Sequence, residues 1–215
     1  MNRVRVKVCG IRTLEEARTA VEAGADALGF NLWPRSPRFV SPESAREIVA
    51  AISPFVSCVG VFVNEDSVRV QELALELGLA AVQLHGDESP EYCAALDAVK
   101  VIKAIRVGPG FDPAMLKSFP VNAILLDAKH KGSYGGTGRT FEWRFAKEAM
   151  LYAPIILSGG INQGNVADAI EQVKPAAIDV CSGVEAEPGR KDLEKLRSFM
   201  AAVDRANGSF AEWLA

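Results

Sequence analysis

The four cysteines, Cys9, Cys58, Cys93 and Cys181, are scattered along the 215-residue chain, and no two form a C-x-x-C pair. A chain this long and rich in core residues has little use for a disulfide framework. Histidine is scarcer still. His85 and His130 give neither an H-x-x-x-H spacing nor a Cys/His cluster, so no metal site is expected. No apolar run is long enough to cross a bilayer. The N-terminus enters a strand pattern by Val4 without a long apolar signal core, and the expected location is the cytoplasm. Positive charge is not in excess either. Against 27 acidic side chains there are 24 basic ones, which leaves no electrostatic footprint for nucleic acid or an anionic membrane. A small anionic substrate stays open, because local loops rather than net charge would hold it. No linker, low-complexity stretch or break in composition divides the chain. One domain over 1–215 is expected, with a short C-terminal tail from about residue 205 whose Phe210 and Trp213 would pack on the surface.

What the chain does contain is alternation. Strand-like runs at 4–8, 27–31, 56–63, 81–84, 99–104, 123–127, 155–158 and 177–180 are separated by helical patterns. Thr13 with Glu16 makes a capping-box pattern, and Ser41 before Pro42 reads as a cap followed by proline at the first helical position. Asn64 and Asn165 are expected to cap their own helices, and Gly24 and Gly78 to stop theirs. Eight strands with intervening helices predict an α/β fold, a single (β/α)8 barrel, ahead of a doubly wound open sheet.

The first strand supports closure. Val4, Val6 and Val8 share one face while Arg5, Lys7 and Cys9 share the other. A barrel needs an apolar face toward its helices and admits polar chains inside, so Cys9 is expected to point inward at the C-terminal mouth, where barrel enzymes keep their chemistry. By the same alternation Asp127 lies on the face of Leu125, and Asp179 on the face of Ala177.

Cys9 and Asp127 each end a strand beside a glycine-bearing loop. A thiol and a carboxyl brought together can remove a proton at one atom and supply one at another, which suffices for an isomerisation with no cofactor. A free thiol titrates near ~8.5, and cationic neighbours lower that value until a thiolate can serve as base. Asp127 reads in two ways, as a cap or partner of Lys129, or as an acid whose affinity for its proton is raised by burial at the mouth. Cys58, in a valine run, and Cys93, in a helix, read as small core hydrophobes.

Strands seven and eight run into Ser158-Gly159-Gly160 and Cys181-Ser182-Gly183. Loops in this position are the recurrent phosphate site of such barrels, and their glycines bring backbone N–H groups close to phosphate oxygens. Gly159, Gly160, Ser182 and Gly183 are therefore the expected phosphate-binding residues. Cys181 would contribute its backbone rather than its sulfur. Arg38, on the loop after strand two, suits a bidentate clamp on a substrate carboxylate. Gln83 and His85 share the inward face of strand four and either touch sugar hydroxyls or, for His85, merely plug the mouth. Asp179 joins this substrate-contacting set. The glycine-rich segment 129–139 suits a lid. It lacks the G-x-x-x-x-G-K-[ST] order of a nucleotide loop.

Taken in order, Lys7-Val8-Cys9-Gly10-Ile11, Ser36-Pro37-Arg38-Phe39, Gln83-Leu84-His85-Gly86, Leu126-Asp127, Gly135-Gly136-Thr137-Gly138, Leu157-Ser158-Gly159-Gly160 and Asp179-Val180-Cys181-Ser182-Gly183-Val184-Glu185 resemble the phosphoribosylanthranilate isomerase family of tryptophan biosynthesis, from about Val6 to about Arg197. The resemblance implies an eight-fold barrel that performs an Amadori rearrangement on a phosphosugar, without cofactor. Monomer and homodimer both stay open, because an apolar loop residue such as Phe55 can pack internally or across an interface. It implies Asp127 as general acid toward the ring oxygen, Cys9 as general base toward the ribose C2 proton, and Arg38 on the anthranilate carboxylate. Two positions depart from the family pattern: Cys181 stands where serine is common, and Arg12 where a small residue is. The isomerase of histidine biosynthesis also performs an Amadori rearrangement, but with a pair of aspartates, and Cys9 argues against it. A phosphosugar-binding barrel without turnover is disfavoured by the presence of both Cys9 and Asp127.

Overall fold

The computed structural model describes residues 3–128 and 141–212, with side chains through 208. Eight parallel strands close on themselves in sequence order: β1 (Arg5–Cys9), β2 (Ala27–Asn31), β3 (Ser57–Phe62), β4 (Ala81–Leu84), β5 (Val101–Val107), β6 (Ala123–Ala128), β7 (Ile155–Leu157) and β8 (Ala177–Val180), with β8 returning to β1. The helices between them are α1 (Leu14–Glu22), α2 (Pro42–Ala50), α3 (Ser67–Glu76), α4 (Pro90–Ala94), α5 (Arg144–Ala149) and α6 (Val166–Val173), and α7 (Leu193–Glu212) follows the barrel. After β5 the expected α-helix is instead a 3₁₀ turn, Pro113–Ser118, capped by Asp112. A short hairpin of β9 (Glu185–Glu187) and β10 (Arg190–Lys191) follows β8.

The periodicity of the strands explains the closure. Facing the barrel axis, the even strands supply Ala27, Ala81, Ala123 and Ala177, while the odd strands supply Val59, Ile102 and Ile156. Small side chains alternating with large ones let a narrow barrel fill itself. The opposite faces, with Val6, Val8, Leu28, Phe30, Leu84, Leu126 and Ile178, pack against the helices in a second, larger core. An interior filled by side chains leaves only the mouth for a substrate.

Several local signals behave as read. Thr13 and Glu16 form a reciprocal capping box, and the Ser41 hydroxyl accepts the Ser44 N–H with Pro42 at the first helical position. Gly24 and Gly78, both at positive φ, follow the ends of α1 and α3. Asn64 does not cap α3. It is held at φ 51 in a turn, its side-chain oxygen accepting from the Asp87 N–H, and Asp66 makes the cap by accepting from Val68 and Arg69. Nor does an appendage begin near 205. α7 runs through that point, Ala206 packs on the core, and the Asn207 amide bonds both the N–H and the carbonyl of Val4. The expected packing of Phe210 and Trp213, and the whole of the expected lid at 129–139, lie outside the described side chains. Phe55 is 95% exposed.

Candidate active site

Register between β1 and β8 sets the base side of the mouth. Lys7 pairs with Asp179 and Val8 with Val180. Lys7 Nζ donates to Asp179 Oδ1 at 2.7 Å, both side chains almost wholly buried, and Ser158 Oγ donates to Asp179 Oδ2 at 3.0 Å. Burial pulls the Lys7 ammonium down, but Asp179 and Cys9 outweigh it, so its affinity for the proton is above that of an ordinary lysine. One turn of the pleat further on, toward the mouth, lies Cys9. A hydrogen bond from Cys181 lowers its thiol to about 6, against burial and with help from the Lys7 and Lys191 charges. The direction is the one a thiolate base requires.

On the acid side, Asp127 lies on the inward face of β6 and is buried. Its Oδ1 accepts the Ala128 N–H at 2.8 Å, and its Oδ2 lies 3.3 Å from His85 Nε2. Gln83 Nε2 stands 2.9 Å from His85 Nδ1. With an amide N–H directed at Nδ1, the neutral ring carries its proton on Nε2, facing the carboxyl. Gln83 is fully buried, and its Oε1 has no partner among the described residues.

Between these two sides run β7 and β8, and their loops are the glycine loops singled out in the sequence. Gly159 and Gly160 both have positive φ, 78° and 67°, a region that other residues enter only with strain. A side chain on Gly159 would meet Ala128 N at 2.6 Å and Asp127 Oδ1 at 3.0 Å, so this loop lies directly on the acid. A side chain on Gly183 would meet the Ile161 carbonyl at 2.1 Å, which joins the second loop to the first. Side-chain amides of Asn162 and Asn165 both donate to the Gly160 carbonyl and fix that peptide plane. Asn165 does stand at the N-cap of α6, but its side chain makes no capping bond and serves this loop instead. Ser182 opens a 3₁₀ turn, Ser182–Val184, beside Gly183.

The family model for N-(5'phosphoribosyl)anthranilate (PRA) isomerase matches residues 6–202. The chain belongs to the N-(5'-phosphoribosyl)anthranilate isomerase family. The N-(5'-phosphoribosyl)anthranilate isomerase of Geobacter metallireducens is 51% identical over 199 residues, 92% of this chain and 97% of that protein. A crystal structure of phosphoribosyl anthranilate isomerase from Thermus thermophilus superposes with a TM-score of 0.87 at 40% identity, covering 94% of this chain and 99% of the other. A second structure, at TM-score 0.83 and 42% identity with the same coverage, is a phosphoribosyl anthranilate isomerase in complex with reduced 1-(o-carboxyphenylamino)-1-deoxyribulose 5-phosphate.

Within this isomerase family fold, Arg38 is not a lone guanidinium. Its Nε and Nη2 donate to the two oxygens of Glu185 at 2.8 and 2.7 Å, and its charge is held more firmly than usual: burial opposes it, but Glu185 prevails. Lys191 Nζ donates to the same carboxylate at 3.1 Å and to the Cys181 carbonyl at 3.1 Å. Despite burial, these two cations keep Glu185 below the usual carboxylate range. Sequence reading took Glu185 as a marker only and gave Lys191 no place in the site. It also missed Lys7 as the partner of Cys9 and Asp179. The available signal was the inward alternation of β1, which already put Lys7 beneath Cys9. Asp179, expected to touch substrate, has both oxygens engaged, by Lys7 and Ser158.

Proposed function

We propose that this protein converts N-(5'-phosphoribosyl)anthranilate to 1-(2-carboxyphenylamino)-1-deoxyribulose 5-phosphate in tryptophan biosynthesis, with Asp127 as general acid and Cys9 as general base. One observation carries the reading: β7 and β8, which bear the glycine loops, are the two strands that separate β6, which ends in the acid, from β1, which ends in the base. A phosphate held on those loops puts the ribose between the two groups.

The chemistry follows from that placement. Asp127 protonates the furanose ring oxygen, the C1–O bond breaks, and the anthranilate nitrogen lone pair forms the C1=N bond of a protonated Schiff base. That cation makes the C2 hydrogen acidic. The Cys9 thiolate takes it, the C2–H electrons become the C1–C2 region's enolamine double bond, and the iminium nitrogen is neutralised. Tautomerisation to the C2 ketone completes the Amadori rearrangement. The iminium supplies the electron sink within the substrate, so the reaction asks for no cofactor or metal.

Around these steps Arg38 binds the anthranilate carboxylate while Glu185 fixes its plane. Gly159, Gly160, Ser182 and Gly183 bind the phosphate chiefly through backbone N–H groups. His85 orients Asp127 and, with Gln83, borders the ribose. Asp179 acts on the substrate through Lys7, by keeping a cation beneath the Cys9 sulfur. The chain works as a single (β/α)8 domain, monomeric or homodimeric, in the cytoplasm. No helix of the described residues is long and apolar enough to cross a membrane. Sedimentation velocity reads the assembly directly.

The decisive experiment generates the labile substrate in situ and follows its anthranilate-type fluorescence on addition of the protein. Rapid loss of that signal is expected. A folded protein that leaves the signal unchanged sinks the proposal.

A further inference from the structure

Cys181 sits one residue past the last register pair between β8 and β1, Val8 with Val180, so it stands beside Cys9 on the next strand. Both lie on the inward face, two residues beyond Lys7 and Asp179. In-register residues of neighbouring strands have Cα atoms about 5 Å apart, inside the window of roughly 4.4–6.8 Å that a disulfide requires. The Cys181 sulfur leans toward β1: a side chain built on Gly10, the residue after Cys9, would meet it at 3.3 Å. Each thiol perturbs the other's ionisation: Cys181 lowers that of Cys9, and Cys9 raises that of Cys181. Neither Cys58 nor Cys93 shares this setting: Cys58 pairs in register with Leu28 on β2, and Cys93 lies in α4.

We propose that Cys9 and Cys181 are a redox pair, which a hydroperoxide closes to a disulfide and a dithiol reopens. This rests on the reading of Cys9 as the base, since closing the pair would then switch the enzyme off. The Cys9 thiolate attacks a peroxide oxygen, the O–O bond breaks, and Cys9 becomes a sulfenic acid while the alkoxide or hydroxide leaves. The Cys181 sulfur then attacks the Cys9 sulfur and the S–O bond breaks. The departing hydroxide takes the Cys181 thiol proton and leaves as water. The sulfur pair loses two electrons and the peroxide gains them. Cys9 and burial push the Cys181 thiol up, so it attacks as a thiol; Lys191, 3.8 Å from its sulfur, offsets part of that rise, and Glu185 Oε1 at the same distance accepts from the thiol. The second cysteine thereby spares the base from irreversible oxidation to sulfinic acid.

The test treats the reduced protein with hydrogen peroxide, then counts thiols, maps peptides and follows turnover before and after dithiothreitol. Of the four thiols in the chain, two are expected to disappear, with the Cys9 and Cys181 peptides joined. Turnover should fall at least about 100-fold in the oxidised fraction, the scale for removing a general base, and return on reduction. In Cys181→Ser, compared with its own reduced rate, peroxide in excess should carry Cys9 past the sulfenic acid to sulfinic acid, a loss that dithiothreitol does not reverse. Four surviving thiols, a Cys9 peptide oxidised without a link, or full recovery of Cys181→Ser would each overturn the pair. A link that forms while turnover persists leaves the pair standing and instead removes Cys9 from the role of base.

Discussion

His85 presents Nε2 to Oδ2 of Asp127 at 3.3 Å, while Gln83 holds the other ring nitrogen at 2.9 Å. The carboxyl is thus approached from one side by an imidazole of fixed tautomer and from the other by the Ala128 N–H. Gln83→Leu removes the amide that sets the tautomer while filling the same buried volume. Gln83 Oε1 is already without a partner among the described residues, so little stability is lost. The expected result is a kcat about tenfold lower, equivalent to about 1.4 kcal/mol in the barrier, with KM and melting temperature nearly unchanged. Equal losses in kcat and melting temperature would mark Gln83 as packing alone.

Cys9→Ser and Asp127→Asn should each lower turnover by at least about 100-fold, the common scale for general acid–base groups. Calorimetric binding of a reduced product analogue should survive in both, because the phosphate loops and Arg38 are untouched. Wild-type turnover in either variant removes that residue from the chemistry.

The pH profile follows from the lowered thiol. The active form of Cys9 is the thiolate, so kcat/KM should be full at neutral pH and fall as pH drops through about 6. Cys181 is the largest cause of that lowering. Cys181→Ala should therefore move the acid limb upward, toward the ~8.5 of an ordinary thiol, and Cys181→Ser, which keeps a hydroxyl donor, should move it less. Profiles that coincide in all three proteins would exclude the Cys181 hydrogen bond as the cause.

Asp179→Asn leaves the Lys7 ammonium buried beside a neutral amide. Loss of one member of such a pair costs about 3–5 kcal/mol, readable in urea denaturation. The double replacement Lys7→Met with Asp179→Leu should recover most of that stability, yet remain impaired in turnover because the cation beneath Cys9 is gone. A double variant no more stable than the single would mean that the pair's energy is not electrostatic.

Much of this was legible along the chain because barrel strands obey a period of two. That rule alone put Lys7, Cys9, Asp127 and Asp179 on the inside, and cap chemistry marked α1 and α2 at Thr13 and Ser41. What stayed hidden was set by contacts between distant segments. Arg38 and Glu185 are 147 positions apart, and no local pattern announces that the clamp has a carboxylate partner. The Cys9–Cys181 adjacency depends on β8 closing onto β1, a fact of register rather than of sequence spacing. Asn64 misled because asparagine serves left-handed turns as readily as helix caps, and here Glu88 and Asp87 draw it into the turn.

The Asn207 amide that grips Val4 brings residues 4 and 207 side by side, 203 positions apart in the chain. Circular rearrangement is a natural consequence. A short peptide bridging those neighbours, with new termini cut in an exposed turn far from the mouth, would leave the barrel and its substrate pocket as they are.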